Sequence, residues 1–374
     1  MATATKPKVF IVCPGLGQVN RGFETFTRES FDSLKDSQKF DLILCKGKGK
    51  TSKNEKTLWN ISRYSSFGKF LGNLSGRGAY FWESVTFFIS MIPYIMLYKP
   101  KVIYFSDGML GNFLWWGKKI FKFKYKTLVC NGAPTSPPFP RWDHIHQGTP
   151  SYLQEALNAG EPLEKQTLIP QGVNTKKLEL LTPQEIINLK YTLTIPTDRK
   201  IILSVCAINK SHKRVDYLVK EISKLQSPTP ILIVLGQIDE ESPAIFDLAK
   251  ELLGEENFIF KSVPAQVVAS YYQIADVFVL CSTGEGFGRV YLEALSYGLP
   301  IVAHDYEVSR FILEEYGYYA DLTKEGTLSS ILKELLSQEK RPDDMIKRSE
   351  FTIKKFEWNN LKNQYEDMIL ALIE

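Results

Sequence analysis

Cysteine is scarce and never paired in this chain. Cys13, Cys45, Cys130, Cys206 and Cys281 stand singly in or beside apolar runs, with no CxxC spacing. A thiol so placed behaves as a small core residue. Neither a disulfide framework nor a thiolate metal site is expected, and a reducing cytosol suits such a composition. An excess of one charge is also missing, since 46 Lys and Arg against 42 Asp and Glu leave only +4. That balance gives no footprint for nucleic acid. With 24 Gly and 19 Pro in 374 residues, 44% hydrophobic and 24% charged, the chain is neither collagen-like nor disordered. No fixed-period repeat or low-complexity tract is present. Met1 to Val9 has no apolar core of a secretory leader. The most apolar stretch, Val85–Tyr98, is about 14 residues long and interrupted by Ser90 and Pro93. It falls short of the ~20 needed to span a bilayer and is expected to form a buried helix.

What the chain does have is alternation. Lys8–Pro14, Asp41–Cys45, Val102–Ser106, Thr127–Cys130 and Thr167–Ile169 read as buried strands in the first half. Ile201–Val205, Ile231–Gly236, Phe258–Lys261, Val277–Cys281 and Ile301–Ala303 repeat the pattern in the second. Helical stretches lie between them, among them Pro183–Leu193, Asp216–Leu225, Ala265–Ile274 and Val290–Tyr297. Continuous apolar strands alternating with helices imply parallel sheets covered on both faces. The expected architecture is α/β: two Rossmann-like doubly wound domains facing an interdomain cleft. Their boundary is placed in the turn-forming cluster Pro170–Asn174, giving residues 1–172 and 173–355, with a helix at about 356–374 completing the first.

One segment concentrates the chemistry: Cys281-Ser-Thr-Gly-Glu285-Gly-Phe-Gly-Arg-Val-Tyr-Leu-Glu293-Ala, continuing to Gly298-Leu-Pro300-Ile-Val302. A buried strand runs into a glycine-containing loop, and a helix opens near Gly288. Backbone N–H groups at such an opening bind phosphate, and the helix dipole favours the anion. Glu285 precedes the helix and Glu293 follows eight residues later, about two helical turns on, so both are expected on one side of the site. Carboxylates bracketing free amides suit a phosphorylated polyol.

The string closely resembles the Glu-x7-Glu signature of retaining family 4 glycosyltransferases of the GT-B fold. Further landmarks follow in that family's order: Leu168–Thr175 at the domain crossover, His212-Lys213-Arg214-Val-Asp-Tyr-Leu218, and Phe356-Glu357-Trp358 before a closing helix over Leu361–Ile373. The resemblance implies a cytoplasmic hexosyltransferase whose substrates are a nucleotide-sugar donor, UDP- or GDP-linked, and an acceptor alcohol. It implies neither metal nor cofactor, and no Asp-x-Asp pair of the metal-dependent GT-A class occurs. By position, Glu285 would contact the transferred sugar, Glu293 the ribose hydroxyls, and Lys213 the departing diphosphate. Gly288, Arg289 and Val290 would present backbone amides at the phosphates, Gly286 and Phe287 would belong to the same donor site, and Val263 would meet the base. Gly22 would let the first strand–helix turn approach the donor.

Gln171 and Asn174 in the crossover segment depart mildly from the family pattern, and two departures bear on the site. The arginine usual before the lysine is replaced by Ala207–His212, where Asn209 and Lys210 are the candidate donor ligands. Lysine is a point charge without arginine's bidentate fork. The first domain's usual histidine is replaced by Asn131 in Cys130–Pro134, making Asn131 a candidate catalytic-site residue without basic character. His144, His146 and Asp107 are weaker candidates. Gly47–Thr51 lacks the first glycine of a phosphate-binding P-loop and reads as a solvated basic loop. Trp115–Lys126 interleaves five lysines with aromatics, and Cys45–Lys56 adds five more; this composition suits a helix end with its solvated flank, or an acceptor-side surface in peripheral contact with an anionic membrane. Two other readings stay open: a nucleotide-sugar epimerase of the same fold, and a non-catalytic sugar-nucleotide or membrane-binding protein.

Overall fold

Short runs of Val, Ile, Leu and Phe form the strands of the computed structural model, which describes residues 6–19, 21–132, 135–175, 177–226 and 228–373. The first sheet comprises β1 (Lys8–Cys13), β2 (Asp41–Lys46), β3 (Glu55–Thr57), β4 (Val102–Phe105), β5 (Lys126–Asn131), β6 (His144–Gln147) and β7 (Gln166–Leu168). The second comprises β8 (Ile201–Val205), β9 (Ile231–Leu235), β10 (Phe258–Lys261), β11 (Val277–Leu280), β12 (Ile301–His304) and β13 (Gly317–Ala320). Their orders are β3-β2-β1-β4-β5-β6-β7 and β10-β9-β8-β11-β12-β13. Every ladder is parallel. These are two Rossmann-like α/β domains, the expected class. The compact units are Met1–Asn174 with Phe356–Glu374, and Thr175–Lys355.

All ten expected strands are present, with ends shifted by at most a residue or two. The three further strands carry no apolar run. β3 (Glu-Lys-Thr) and β13 (Gly-Tyr-Tyr-Ala) are half-buried edge strands, where one face needs no hydrophobic side chain. β6, sequence His-Ile-His-Gln, is fully buried although mostly polar. Its polar groups are satisfied internally: His144 Nε2 meets Thr167 Oγ1 at 2.7 Å, and Gln147 Nε2 donates to Gln166 Oε1 at 2.7 Å.

On one face of the first sheet lie helix α1 (Gly22–Leu34) and the closing helix Trp358–Leu370, whose Trp358, Leu361, Tyr365 and Ile369 share a core with Val9, Ile11 and Leu128. The chain is fastened there by Val173 N–H donating to Phe356 O at 2.8 Å and Tyr365 Oη donating to Pro170 O at 2.9 Å. On the opposite face lie α2 (Ser66–Ser75), α3 (Gly78–Tyr98) and α4 (Gly108–Phe121); Phe87, Phe88, Met91, Ile95, Leu110 and Leu114 pack on Phe10, Val12 and Ile43. The expected buried helix at Val85–Tyr98 needs correction. It begins seven residues earlier, spans 21 residues, and buries one face only; Ile89, Met96 and Leu97 stand open to solvent.

His146 is part of this framework. It is wholly buried, its Nε2–H donating to Ile169 O and its Nδ1 accepting from Tyr104 Oη at 2.6 Å. Burial pulls its pKa down from 6.5 to about 4. The native ring stays neutral where an unfolded chain already binds a proton, so stability is lost as pH falls between those values. The expected loss is about 3 kcal/mol by pH 4. Urea unfolding at pH 7 and pH 4.5 measures it, and His146→Gln should shrink the difference.

Candidate active site

In a doubly wound sheet the strand order reverses at one point, and ligands bind beyond the carboxyl ends of the strands there. In the second sheet that point lies between β8 and β11. The loop after β8 carries Asn209, Lys210 and Lys213; the loop after β11 carries Glu285, Gly286, Phe287 and Gly288. They meet. Lys213 Nζ lies 2.5 Å from Glu285 Oε1, with the two side chains only 16% and 12% exposed. Residues 72 apart in sequence thus form one ion pair at the expected end of the sheet.

Each side of the pair is built by local backbone chemistry. Asn209 Oδ1 accepts the Lys213 amide at 2.8 Å, and its Nδ2 donates to Asp239 Oδ2 at 3.1 Å. Asn209 therefore shapes the turn that delivers Lys213. The amides of Lys210 and Ser211 donate to Glu241 Oε2 at 2.7 and 2.9 Å, leaving the Lys210 ammonium exposed on the loop. Across the site, Gly288 has φ +74° and precedes the helix Arg289–Ser296. A Cβ there would sit 2.6 Å from the Tyr291 ring, so both conformation and space demand glycine. Phe287 and the Arg289 side chain are buried, and at this point the chain presents backbone. The first-turn amides of Arg289 and Val290 lie at the helix opening, where the dipole is positive.

The helix opens at Arg289, where the sequence placed its start, so a stretch of loop and one helical turn separate the two glutamates. Glu293 Oε2 accepts from Tyr272 Oη at 3.0 Å. Tyr272 is fully buried on helix Ala265–Ile274 and stacks on Tyr297 with ring centroids 5.3 Å apart. Burial first, then the Glu293 charge, push its pKa well up; the phenol stays a donor and fixes the carboxylate. Nothing in the sequence marks Tyr272, which reaches Glu293 from 21 residues away. Val263 is half-buried just beyond β10, at the same end of the sheet.

The first unit's candidates are placed differently. Asn131, ending β5, is buried, with Nδ2 donating to Gln147 Oε1 at 3.0 Å and Oδ1 accepting from Thr135 N–H at 3.3 Å. Both ends of its amide serve the fold. Ala133 and Pro134 of the same motif, and Asn20 beside Gly22, lie outside the described residues. Gly22 opens α1, and a Cβ on it would touch nothing. Asp107 caps α4 through the Leu110 amide at 2.9 Å and also accepts from Tyr80 Oη. Among the described residues no group of three or more His, Cys, Asp and Glu side chains forms a metal-binding cluster.

Residues 186–351 match the family model for glycosyl transferases group 1, so the second unit carries such a domain. Among curated proteins, the alpha-galactosylglucosyldiacylglycerol synthase of Streptococcus pneumoniae is 26% identical over 201 residues, 52% of each chain. The alpha-monoglucosyldiacylglycerol synthase of Acholeplasma laidlawii is 27% identical over 218 residues, 56% of this chain and 53% of that protein. The match spans about half the length of both relatives. Among solved structures, sucrose-phosphate synthase from Thermosynechococcus elongatus superposes with TM-score 0.79 at 18% identity, over 98% of this chain and 99% of that one. Anabaena HepE in complex with UDP and glucose gives TM-score 0.76 at 14% identity, over 98% and 100%. Near-complete coverage at such low identity establishes the fold: two parallel-sheet domains of the GT-B kind.

Proposed function

We propose that the protein is a retaining family 4 glycosyltransferase that moves a hexose from a UDP- or GDP-linked sugar to an acceptor hydroxyl. The observation that carries this reading is the Lys213–Glu285 pair at the switch point of the second sheet, beside the opening of helix Arg289–Ser296. A nucleoside diphosphate placed there would set its phosphates against the Lys213 ammonium and the amides of Gly288, Arg289 and Val290. Glu293, held by Tyr272, would take the ribose hydroxyls, and Glu285 the hexose. Fixed donors aimed at developing charge are the main catalytic resource of such a site, and here they are protein groups, with no metal invoked. In the step itself the acceptor oxygen bonds to the anomeric carbon as the bond to the diphosphate oxygen breaks. The acceptor's proton passes to the departing diphosphate on the same face, which retains configuration.

Lipid, glycan and small-molecule hydroxyls are all chemically suitable acceptors. The curated relatives named above are glycosyldiacylglycerol synthases, which favours a lipid acceptor and a place in the cytoplasm, peripheral to a membrane. Thermal unfolding titrated with UDP, GDP, ADP and their hexose conjugates tests the donor. A ligand at 100 times its Kd stabilises the native state by about 2.7 kcal/mol, so one nucleotide class should raise Tm by several degrees. Product analysis with that donor and a panel of acceptors must then yield a glycoside. Epimerised donor without transfer, or binding without turnover, would replace this reading.

A further inference from the structure

We infer that the outer face of α2, α3 and α4 is a docking surface for an anionic lipid bilayer. It deepens the proposed function by naming a partner, yet stands on surface chemistry that is independent of the reaction. Among the described residues, 11 of the 19 large exposed apolar side chains lie between Trp59 and Phe121, a sixth of the chain. Scattered exposure is ordinary on a soluble surface, but a concentration of this kind marks an interaction site.

The construction of α2 makes the point most directly. Its buried residues are Gly68 and Gly72, and a Cβ on Gly72 would lie 2.4 Å from the Ala79 amide. The helix is therefore pressed down on its glycine side. Its large side chains, Phe67, Phe70 and Leu74, recur at helical spacing on the opposite face and are 57–74% exposed. An amphipathic helix has been set with its apolar stripe outward. Next to it, α3 exposes Ile89 and Met96, two turns apart, and α4 exposes Ile120. The inward face of α3 is spent on the core through Phe87, Phe88, Met91 and Ile95. By length and composition α3 could cross a membrane, but spanning would uncover that core. Lying on the surface would not.

Charge selects the occupant. Residues 59–126 hold ten Lys and Arg against two acids, a local +8 in a chain whose total is +4. Both acids are turned inward: Glu83 is fully buried against Arg63, and Asp107 pairs with the same guanidinium at 3.5 Å. Exposed bases follow the apolar residues closely in sequence, Lys69 on the flank of α2 and Lys119, Lys122 and Lys124 beside Ile120 and Phe121 at the end of α4. Apolar side chains that enter the acyl boundary, rimmed by lysines that meet phosphate headgroups, match an anionic leaflet. A second copy of this face would bring the same cations together and repel.

The test is co-sedimentation of the full chain with phosphatidylcholine vesicles, with and without phosphatidylglycerol, at low and high salt. Binding should need the anionic lipid and weaken with salt. Lys119→Gln/Lys122→Gln/Lys124→Gln should lower partition onto anionic vesicles by roughly 100-fold, about five-fold for each lysine. Phe67→Ser/Phe70→Ser/Leu74→Ser should abolish binding at every salt. Tm and nucleotide affinity should be unchanged in both, since all six residues lie on the outer surface. Vesicle binding by the wild type that fails, or that survives either triple substitution, overturns the inference. So does a vesicle-free dimer that the Phe67/Phe70/Leu74 variant dissolves, which would assign the face to a second copy. Nucleotide binding measured on the same samples separates failure here from failure of the proposed reaction.

Discussion

Glu285→Gln should bind nucleoside diphosphate more tightly than the wild type while losing turnover by two to three orders of magnitude. The opposite signs follow from the ion pair. With no donor bound, Glu285 neutralises the very ammonium that would hold the diphosphate, and its own charge opposes the incoming anion. Removing the charge at constant shape frees Lys213, and a gain of about 1 kcal/mol, some five-fold in affinity, suits a pair that is slightly solvated. On the proposed role of Glu285, turnover falls because its contact to a hexose would strengthen only as the anomeric carbon becomes positive, and preorganised contacts of that type contribute about 10²–10³ in kcat. Lys213→Ala should lower both affinity and turnover. It also strands the half-buried carboxylate, so its stability cost should exceed that of Lys213→Ala/Glu285→Ala. Isothermal titration with UDP or GDP, beside steady-state kinetics, reads all three. A Glu285→Gln enzyme with near wild-type turnover would remove that residue from the reaction.

Trp358→Ala should destabilise the first unit by about 3–5 kcal/mol. The indole is buried between Phe26, at 6.0 Å between centroids, and Tyr365, at 4.9 Å. Its Nε1 donates to Glu29 Oε2 at 3.2 Å. Beneath it runs Gly172, where an added Cβ would sit 2.4 Å from the ring. Gly172→Ala alone should therefore also be strongly destabilising, by overpacking rather than by a cavity. The double variant should cost less than the two losses added together, because the new methyl occupies space that the indole vacated. Urea unfolding followed by circular dichroism gives all three values. Strict additivity would mean that the ring and the glycine are not packed against each other.

Much of the fold was legible because strands buried on both faces must be apolar throughout. Such runs as Ile231–Leu235 and Val277–Leu280 can be little else when short and bounded by turns. The strands without that signature, β3 and β13, sit at sheet edges where burial makes no demand on composition. β6 shows only the alternation of His144 and His146, because its polar side chains are satisfied by partners from β5 and β7 and so need no apolar run.

The site divides the same way. Gly288 could be read locally, because a left-handed residue at a helix opening excludes other side chains. Glu285 could be chosen from its loop before a helix, and Asn209 and Lys213 from the family resemblance, but only the crossing of the sheet at β8 and β11 sets Lys213 against Glu285. Tyr272 behind Glu293, and the engagement of Asn131 with Gln147, are contacts between distant segments that spacing does not encode. The α3 helix shows the limit from the other side. Its sequence is apolar all round, and hydropathy alone reads as burial. Which face met the core and which stayed open was decided by packing on Phe10, Val12 and Ile43. The sequence by itself determined strands, turns and the kinds of group the site would use, because those follow from local sterics and from the solvent preference of each side chain. The tertiary structure alone decided which groups touch and which apolar surface was left to meet a partner.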